Sequence, residues 1–202
     1  MIISHKYKFV FLHVKKAAGT AITKALEPHL GPADVCTGSV RDNIKRSNCP
    51  PNLKGHATYL KINSMFPQWD LSKYKWWCVE RNSYQKALED WWFHYDIAKD
   101  YEKGFASFVR DTENISDWRI YYGEGKFQAE VIDYDHLYDV WPHIIQELGL
   151  PVIDLSAIRL KVPDTSRMPT CREAYSDGVR KMVEQKFANE IEAFQYEFPT
   201  AV

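Results

Sequence analysis

The chain has 202 residues, 45% of them hydrophobic and 26% charged, and its 26 basic and 27 acidic side chains leave a net charge of −1. That balance excludes a disordered, collagen-like or coiled-coil chain, and it excludes a generally basic nucleic-acid binder while leaving room for a local basic pocket. A single domain over residues 1–202 is expected, because a chain of this length can bury about 70% of its unfolded surface.

No apolar run approaches the roughly 18 residues of a membrane span, and the first residues lack the pattern of a signal peptide. The reading is a cytoplasmic protein with no membrane partner. Cys36, Cys49, Cys78 and Cys171 include no C-x-x-C pair, so they read as reduced thiols and no metal is expected. The aromatic share of 14%, with seven tryptophans, points to a large core, an aromatic-lined pocket, or both.

In chain order, Tyr7–Val14 is rich in β-branched and aromatic residues and predicts a buried strand. A small-residue turn, Lys15–Thr20, leads into a helix over Ala21–Glu27. Gly31–Pro51 reads as loop and His56–Ile62 as a short helix. Lys75–Val79 is a second strand. Asn82 is placed to cap a helix from Ser83 to about Ala98. Phe105–Val109 predicts a short helix, Asp117–Gly125 a loop and Ala129–Tyr134 a third strand. Leu137–Leu148 is an amphipathic helix closed by Gly149. Ile153–Pro169 is irregular. A last helix runs from Gly178 to Phe194, with Val179, Met182, Val183, Phe187, Ile191 and Phe194 on one face. Alternating strands and helices predict an α/β fold with a mostly parallel sheet flanked by helices.

The first strand–loop–helix carries the most chemistry. Amide N–H groups at a helix start favour an anion. Ala17, Ala18 and Gly19 let an anion come close to the backbone, Lys16 adds a positive charge, and Thr20 adds a hydroxyl. The lysine precedes the glycine, so this is not a nucleoside-triphosphatase loop of the G-K-[ST] kind. A surface turn with two solvated lysines is the plain alternative.

Phe11-Leu-His-Val-Lys-Lys-Ala-Ala-Gly-Thr-Ala-Ile22 resembles the F-x-H-I-P-K-T-A-G-T-S-I loop of sulfotransferases that use 3′-phosphoadenosine 5′-phosphosulfate (PAPS). The similar branch holds small bacterial sulfotransferases and carbohydrate 2-O-sulfotransferases. Gly55-His-Ala-Thr58 and Lys75-Trp-Trp-Cys-Val-Glu-Arg-Asn-Ser-Tyr84 resemble two further family segments in the same order. So do Val131–Leu137, Leu148–Pro151 and the stretch from Tyr175 to Tyr196. The resemblance spans nearly the whole chain. It implies a P-loop-like sulfotransferase fold and transfer of a sulfuryl group from PAPS to a hydroxyl or amine of a small-molecule or carbohydrate acceptor.

On that resemblance Lys16 stabilises the leaving oxygen, and Lys15, Lys16, Ala17, Ala18, Gly19, Thr20 and Ala21 cradle the 5′-phosphosulfate. His56 is the general base, since histidine exchanges a proton near neutral pH. His13, inside the first strand, reads as structural. Arg81 grips the 3′-phosphate with its guanidinium, and Ser83 offers a hydroxyl nearby. Glu89 stands where the family usually has a serine, and a carboxylate there repels a phosphate unless it is neutralised. Lys161, Ser166 and Arg167 fall in the family's cofactor-covering loop. Trp91, Trp92 and Tyr95, with Tyr121 and Tyr122 as weaker candidates, are placed to line an acceptor pocket.

Overall fold

The computed structural model describes residues 1–39, 41–158, 160 and 165–199. Two compact units emerge, Met1–Glu80 with Arg119–Lys161, and Arg81–Trp118 with Val162–Val202.

The first unit is α/β. Its strands are β1 (Ile2–Ser4), β2 (Phe9–Leu12), β3 (Val35–Cys36), β4 (Lys75–Glu80), the short hairpin β5 (Tyr122–Gly123) and β6 (Lys126–Phe127), and β7 (Glu130–Asp133). Its helices are α1 (Gly19–Leu26), α2 (Tyr59–Met65), and α6 (Leu137–Glu147); α5 (Trp118–Tyr121) leads into β5. Five strands form one sheet in the order β3-β1-β2-β4-β7.

β2 pairs in parallel with β4 (Val10 opposite Trp76), and β4 with β7 (Cys78 opposite Val131). β1 runs antiparallel to both β2 and β3. The sheet is therefore mixed, with two parallel and two antiparallel pairings, and the expectation of a mostly parallel sheet is corrected. The cause is local. Only four residues, 5–8, join β1 to β2, and a connection that short closes an antiparallel pair but cannot make a parallel crossover.

Buried Asp34 clamps this turn. Its carboxylate accepts from the Ser4 hydroxyl (2.7 Å), from the amides of His5 (2.7 Å) and Lys6 (3.1 Å), and from the Gly31 amide (2.8 Å). β2 and residues Trp76–Glu80 of β4 are buried on both faces, as their unbroken apolar runs require. Trp77 packs against Phe11 at 4.6 Å between ring centres and against Trp141 of α6 at 6.4 Å. At the end of β4, buried Glu80 accepts a hydrogen bond from Tyr121 at 2.8 Å. Tyr121 is thus a core residue and not a pocket ring.

The second unit is helical: α3 (Ser83–Trp92), α4 (Phe105–Asp111), α7 (Cys171–Ala174), α8 (Asp177–Lys186) and α9 (Ala188–Phe194). Asn82 caps α3 as expected, its side chain accepting from the Tyr84 amide at 3.1 Å. The predicted continuation to Ala98 is a wide π turn over Phe93–Ala98. The single terminal helix expected over 178–194 is two, broken at Phe187, whose φ and ψ are −112° and 24°. The core gathers Leu88, Trp91, Trp92, Phe108, Val183 and Phe187.

Lys86 and Asp117 form an ion pair at 3.1 Å inside this unit, both almost fully buried. Removing one partner of such a pair leaves an uncompensated charge and costs about 3–5 kcal/mol, whereas replacing both by apolar residues is near neutral. Lys86→Met should therefore lower the urea midpoint steeply, and Lys86→Met with Asp117→Leu should restore most of it. Equal midpoints for the single variant and the parent would show that the pair has no such role.

Candidate functional site

The loop between β2 and α1 turns by alternating backbone handedness. Lys16 (φ 55°) and Ala18 (φ 57°) are left-handed, and successive amides in such alternation form a concavity for an anion. Ala18 is the cap residue of α1 and has no side chain with which to satisfy the first-turn amides. Those amides depend on backbone turns, water or a ligand. Lys15, Lys16, Thr20 and Ala21 are half-buried around the turn, as is Ala18, while Ala17 is buried.

Gly19 opens α1 with an ordinary helical φ, so it is not there for backbone freedom. It is there for closeness: a Cβ on residue 19 would lie 2.0 Å from Cδ2 of His13 and 2.3 Å from its Nε2. The His13 ring lies flat against the bare helix start. Burial, with the neighbouring His56, holds its pKa well below the usual imidazole value, so the ring stays neutral.

His56 completes the arrangement. The helix predicted over 56–62 begins only at Tyr59, capped by the Thr58 hydroxyl, which leaves exposed His56 on the preceding loop. Its Nδ1 lies 2.6 Å from the backbone oxygen of His13, and the two rings meet edge-on at 4.8 Å. A carbonyl only accepts, so Nδ1 must carry the proton and neutral His56 presents Nε2 as its basic nitrogen. The structure brings together His13, His56 and the loop. The sequence pattern placed His56 near this chemistry, but the contact with the His13 carbonyl has no sequence signal.

In the second unit the Arg81 guanidinium is already engaged. Nη1 donates to Glu89 Oε1 at 2.6 Å and Nε to Gln85 Oε1 at 3.3 Å. Gln85 and Glu89 lie four residues apart, on one helix face. Glu89 is therefore neutralised by the group assigned to the phosphate. These residues border a cavity of about 160 Å³ that also reaches Met168, Thr170 and Cys171. Burial pushes the Cys171 thiol up to about 11, so it stays protonated at neutral pH. Ser83 is buried, and its hydroxyl has no hydrogen-bond partner among the described residues.

The aromatic expectations divide. Trp91 and Trp92 are core residues, Trp91 donating to the Lys103 carbonyl at 3.0 Å, so neither is placed as a substrate platform. Tyr95, on the π turn, is 41% exposed and stacks on Trp91 at 5.1 Å. Ser166 and Arg167 are exposed. Arg167 donates to both oxygens of Asp96, at 3.0 and 3.1 Å. Lys161 lies outside the described residues. Among the described residues no group of three or more His, Cys, Asp and Glu is placed to hold a metal, and no helix is long and apolar enough to cross a membrane.

Gly19→Ala should drive the new methyl into the His13 ring and cost about 1–3 kcal/mol, as overpacking does. His13→Ala in the same chain should recover most of that loss, and a double-mutant cycle measures the coupling; additive effects would refute the contact. The pH dependence follows from the lowered His13 pKa. The unfolded chain takes up a proton near about pH 6.5 and the folded chain does not. This contribution to stability is complete above that pH and is lost as the pH falls below it. A shallower acid slope in His13→Gln, by denaturation between pH 7 and 5, checks it.

No protein-family model, curated protein or solved structure matches the chain, so its function must be argued from the geometry of these groups.

Proposed function

We propose that the protein is a sulfotransferase that uses PAPS as donor and a hydroxyl or amine of a small molecule or carbohydrate as acceptor, with a P-loop-like sulfotransferase fold. One observation carries the reading. A lysine-bearing loop of alternating handedness stands beside a histidine whose Nδ1 is held by the His13 carbonyl, leaving Nε2 to act as base.

The donor set suits an anionic ligand: uncapped helix amides, two lysines and the Thr20 hydroxyl on one turn. Bound PAPS would supply an activated sulfuryl group attached to a phosphate leaving group. The amides from Ala17 to Ala21 and the Thr20 hydroxyl hold the anion, and Lys15 adds charge at its rim. Lys16 neutralises the negative charge that develops on the leaving oxygen, an electrostatic contribution that needs no rearrangement. His56 accepts the acceptor's proton at Nε2, and the His13 carbonyl fixes that tautomer and ring orientation. The backbone of the first unit thus holds the proposed base against the loop that holds the anion.

Arg81 is the residue assigned to the 3′-phosphate, and its pairing with Glu89 favours a second reading, a catalytically degenerate module that binds a nucleotide or a partner. Calorimetry separates the two. Titration with the desulfated product PAP, with AMP as control, should give micromolar PAP binding and much weaker AMP binding. Glu89→Ser should tighten PAP by about tenfold, since a carboxylate no longer competes for the guanidinium. Lys16→Ala and His56→Ala should each reduce sulfate transfer by about two to four orders of magnitude with the fold retained. PAP binding without transfer to a panel of hydroxyl and amine acceptors would establish the module. Absence of PAP binding at millimolar concentration in the parent and in Glu89→Ser would overturn the sulfotransferase reading and leave the partner-binding module.

A further inference from the structure

A cavity of about 530 Å³ in the first unit lies away from the anion loop. It is lined by Tyr59, Tyr74, Trp76 and Phe127, with Gln128 and Glu130 among its polar residues. Trp76 is the second residue of β4 and Glu130 the first of β7, so the cavity opens at the N-terminal ends of these parallel strands. The anion loop follows the C-terminal end of β2, which pairs alongside. At about 3.3 Å per residue the two places are on the order of 10 Å apart along the sheet. The cavity is no part of the proposed reaction centre.

Its chemistry is specific. Phe127 ends β6 and is 45% exposed, its ring stacked on Tyr121 at 6.3 Å and edge-on to Tyr122 at 5.5 Å. Tyr59 and Trp76 meet edge-on at 4.9 Å, and Trp76 is fixed by donation from its Nε1 to the Leu71 carbonyl at 2.9 Å. The Tyr74 hydroxyl lies 2.7 Å from His5 Nδ1. The rings are therefore held in place before any ligand arrives. Between them stand hydrogen-bonding groups of both kinds. Gln128 uses its amide nitrogen on the Gly123 carbonyl at 2.5 Å, which turns its side-chain oxygen to the role of acceptor. Glu130 has one oxygen on Lys75 at 2.9 Å. Ser72 adds a hydroxyl, and the lining holds one cation, Lys126, to one anion, Glu130.

A strongly charged ligand has no excess of opposite charge here, and a purely apolar ligand would strand the polar groups. A neutral sugar satisfies both sets: its C–H faces lie on aromatic rings, while its hydroxyls donate and accept. The volume is that of a small-molecule site. We infer that this cavity is a saccharide-binding site, separate from the anion loop, that takes a neutral oligosaccharide of two or three units.

Saturation-transfer difference NMR with cellotriose and maltotriose as probes tests it. At least one should receive saturation at its ring protons with a millimolar dissociation constant. Phe127→Ala, at an exposed hairpin position where the fold tolerates truncation, should weaken that binding by about tenfold, the loss of one stacking ring. Tyr138→Ala, an exposed ring on α6 that is no part of the cavity lining, should leave it unchanged. Saturation of neither sugar, or signals that Phe127→Ala and Tyr59→Ala leave intact, would overturn the inference. None of these outcomes depends on PAP binding.

Discussion

The His13 ring resting on a helix start that has no side chain organises the candidate site. Because residue 19 is glycine, the imidazole sits where a Cβ would overlap it, 2.0 Å from Cδ2. The contact fixes the end of β2, and with it the direction of the His13 carbonyl. That carbonyl receives Nδ1 of His56 from a distant loop, 43 residues on. One missing methyl thus sets the tautomer of one histidine and keeps the other neutral by burial. The left-handed turns at Lys16 and Ala18 belong to the same economy. They shorten the path from strand to helix, so that the first amides of α1 face outward beside two lysines.

Charge in the second unit is arranged differently. Arg81 leaves the end of β4 and, instead of standing free, lies along α3 on Gln85 and Glu89. An incoming anion must compete with a carboxylate already at 2.6 Å. A charged hydrogen bond of that kind is worth about 1.5–3 kcal/mol, enough to change ligand affinity by one or two orders of magnitude. Deeper in the same unit, Lys86 and Asp117 are paired where water does not reach. Near them Glu190 accepts from the Ser116 hydroxyl at 2.5 Å while its other oxygen has no partner among the described residues. Polar groups at such depth constrain the helices that carry them, because any shift leaves a charge or a hydrogen bond unmet.

Several elements are legible residue by residue. β2 and β4 announce themselves as uninterrupted apolar runs, and both are buried on each face. Asn82 caps α3 and Gly149 ends α6 with φ of 66°, as their residue types imply. Other elements leave no trace in a one-dimensional pattern. A break at Phe187 alters one residue's dihedrals, yet the apolar spacing of Val179, Val183, Phe187 and Ile191 continues across it. Trp91 and Trp92 carry the composition of a ligand platform, and only packing against Phe105, Phe108 and Phe187 assigns them to the core. The strand Ile2–Ser4 is three residues long, too short for periodicity to register, and it is what makes the sheet mixed.

The sequence by itself determined the strand–loop–helix around Lys16 and Gly19, the α/β class and the cap at Asn82. Each of these rests on residue type and near-neighbour spacing, which local backbone physics reads directly. Tertiary structure alone decided the antiparallel half of the sheet, the placing of His56 on the His13 carbonyl, the closure of Arg81 by Glu89, and the aromatic cavity at the far end of the strands. The meeting of His13 with His56, 43 residues on, and the cavity lining that runs from Tyr59 to Glu130 join residues distant in the chain, and no local preference specifies such a meeting. It is set by which surfaces the folded core leaves adjacent once the apolar area is buried.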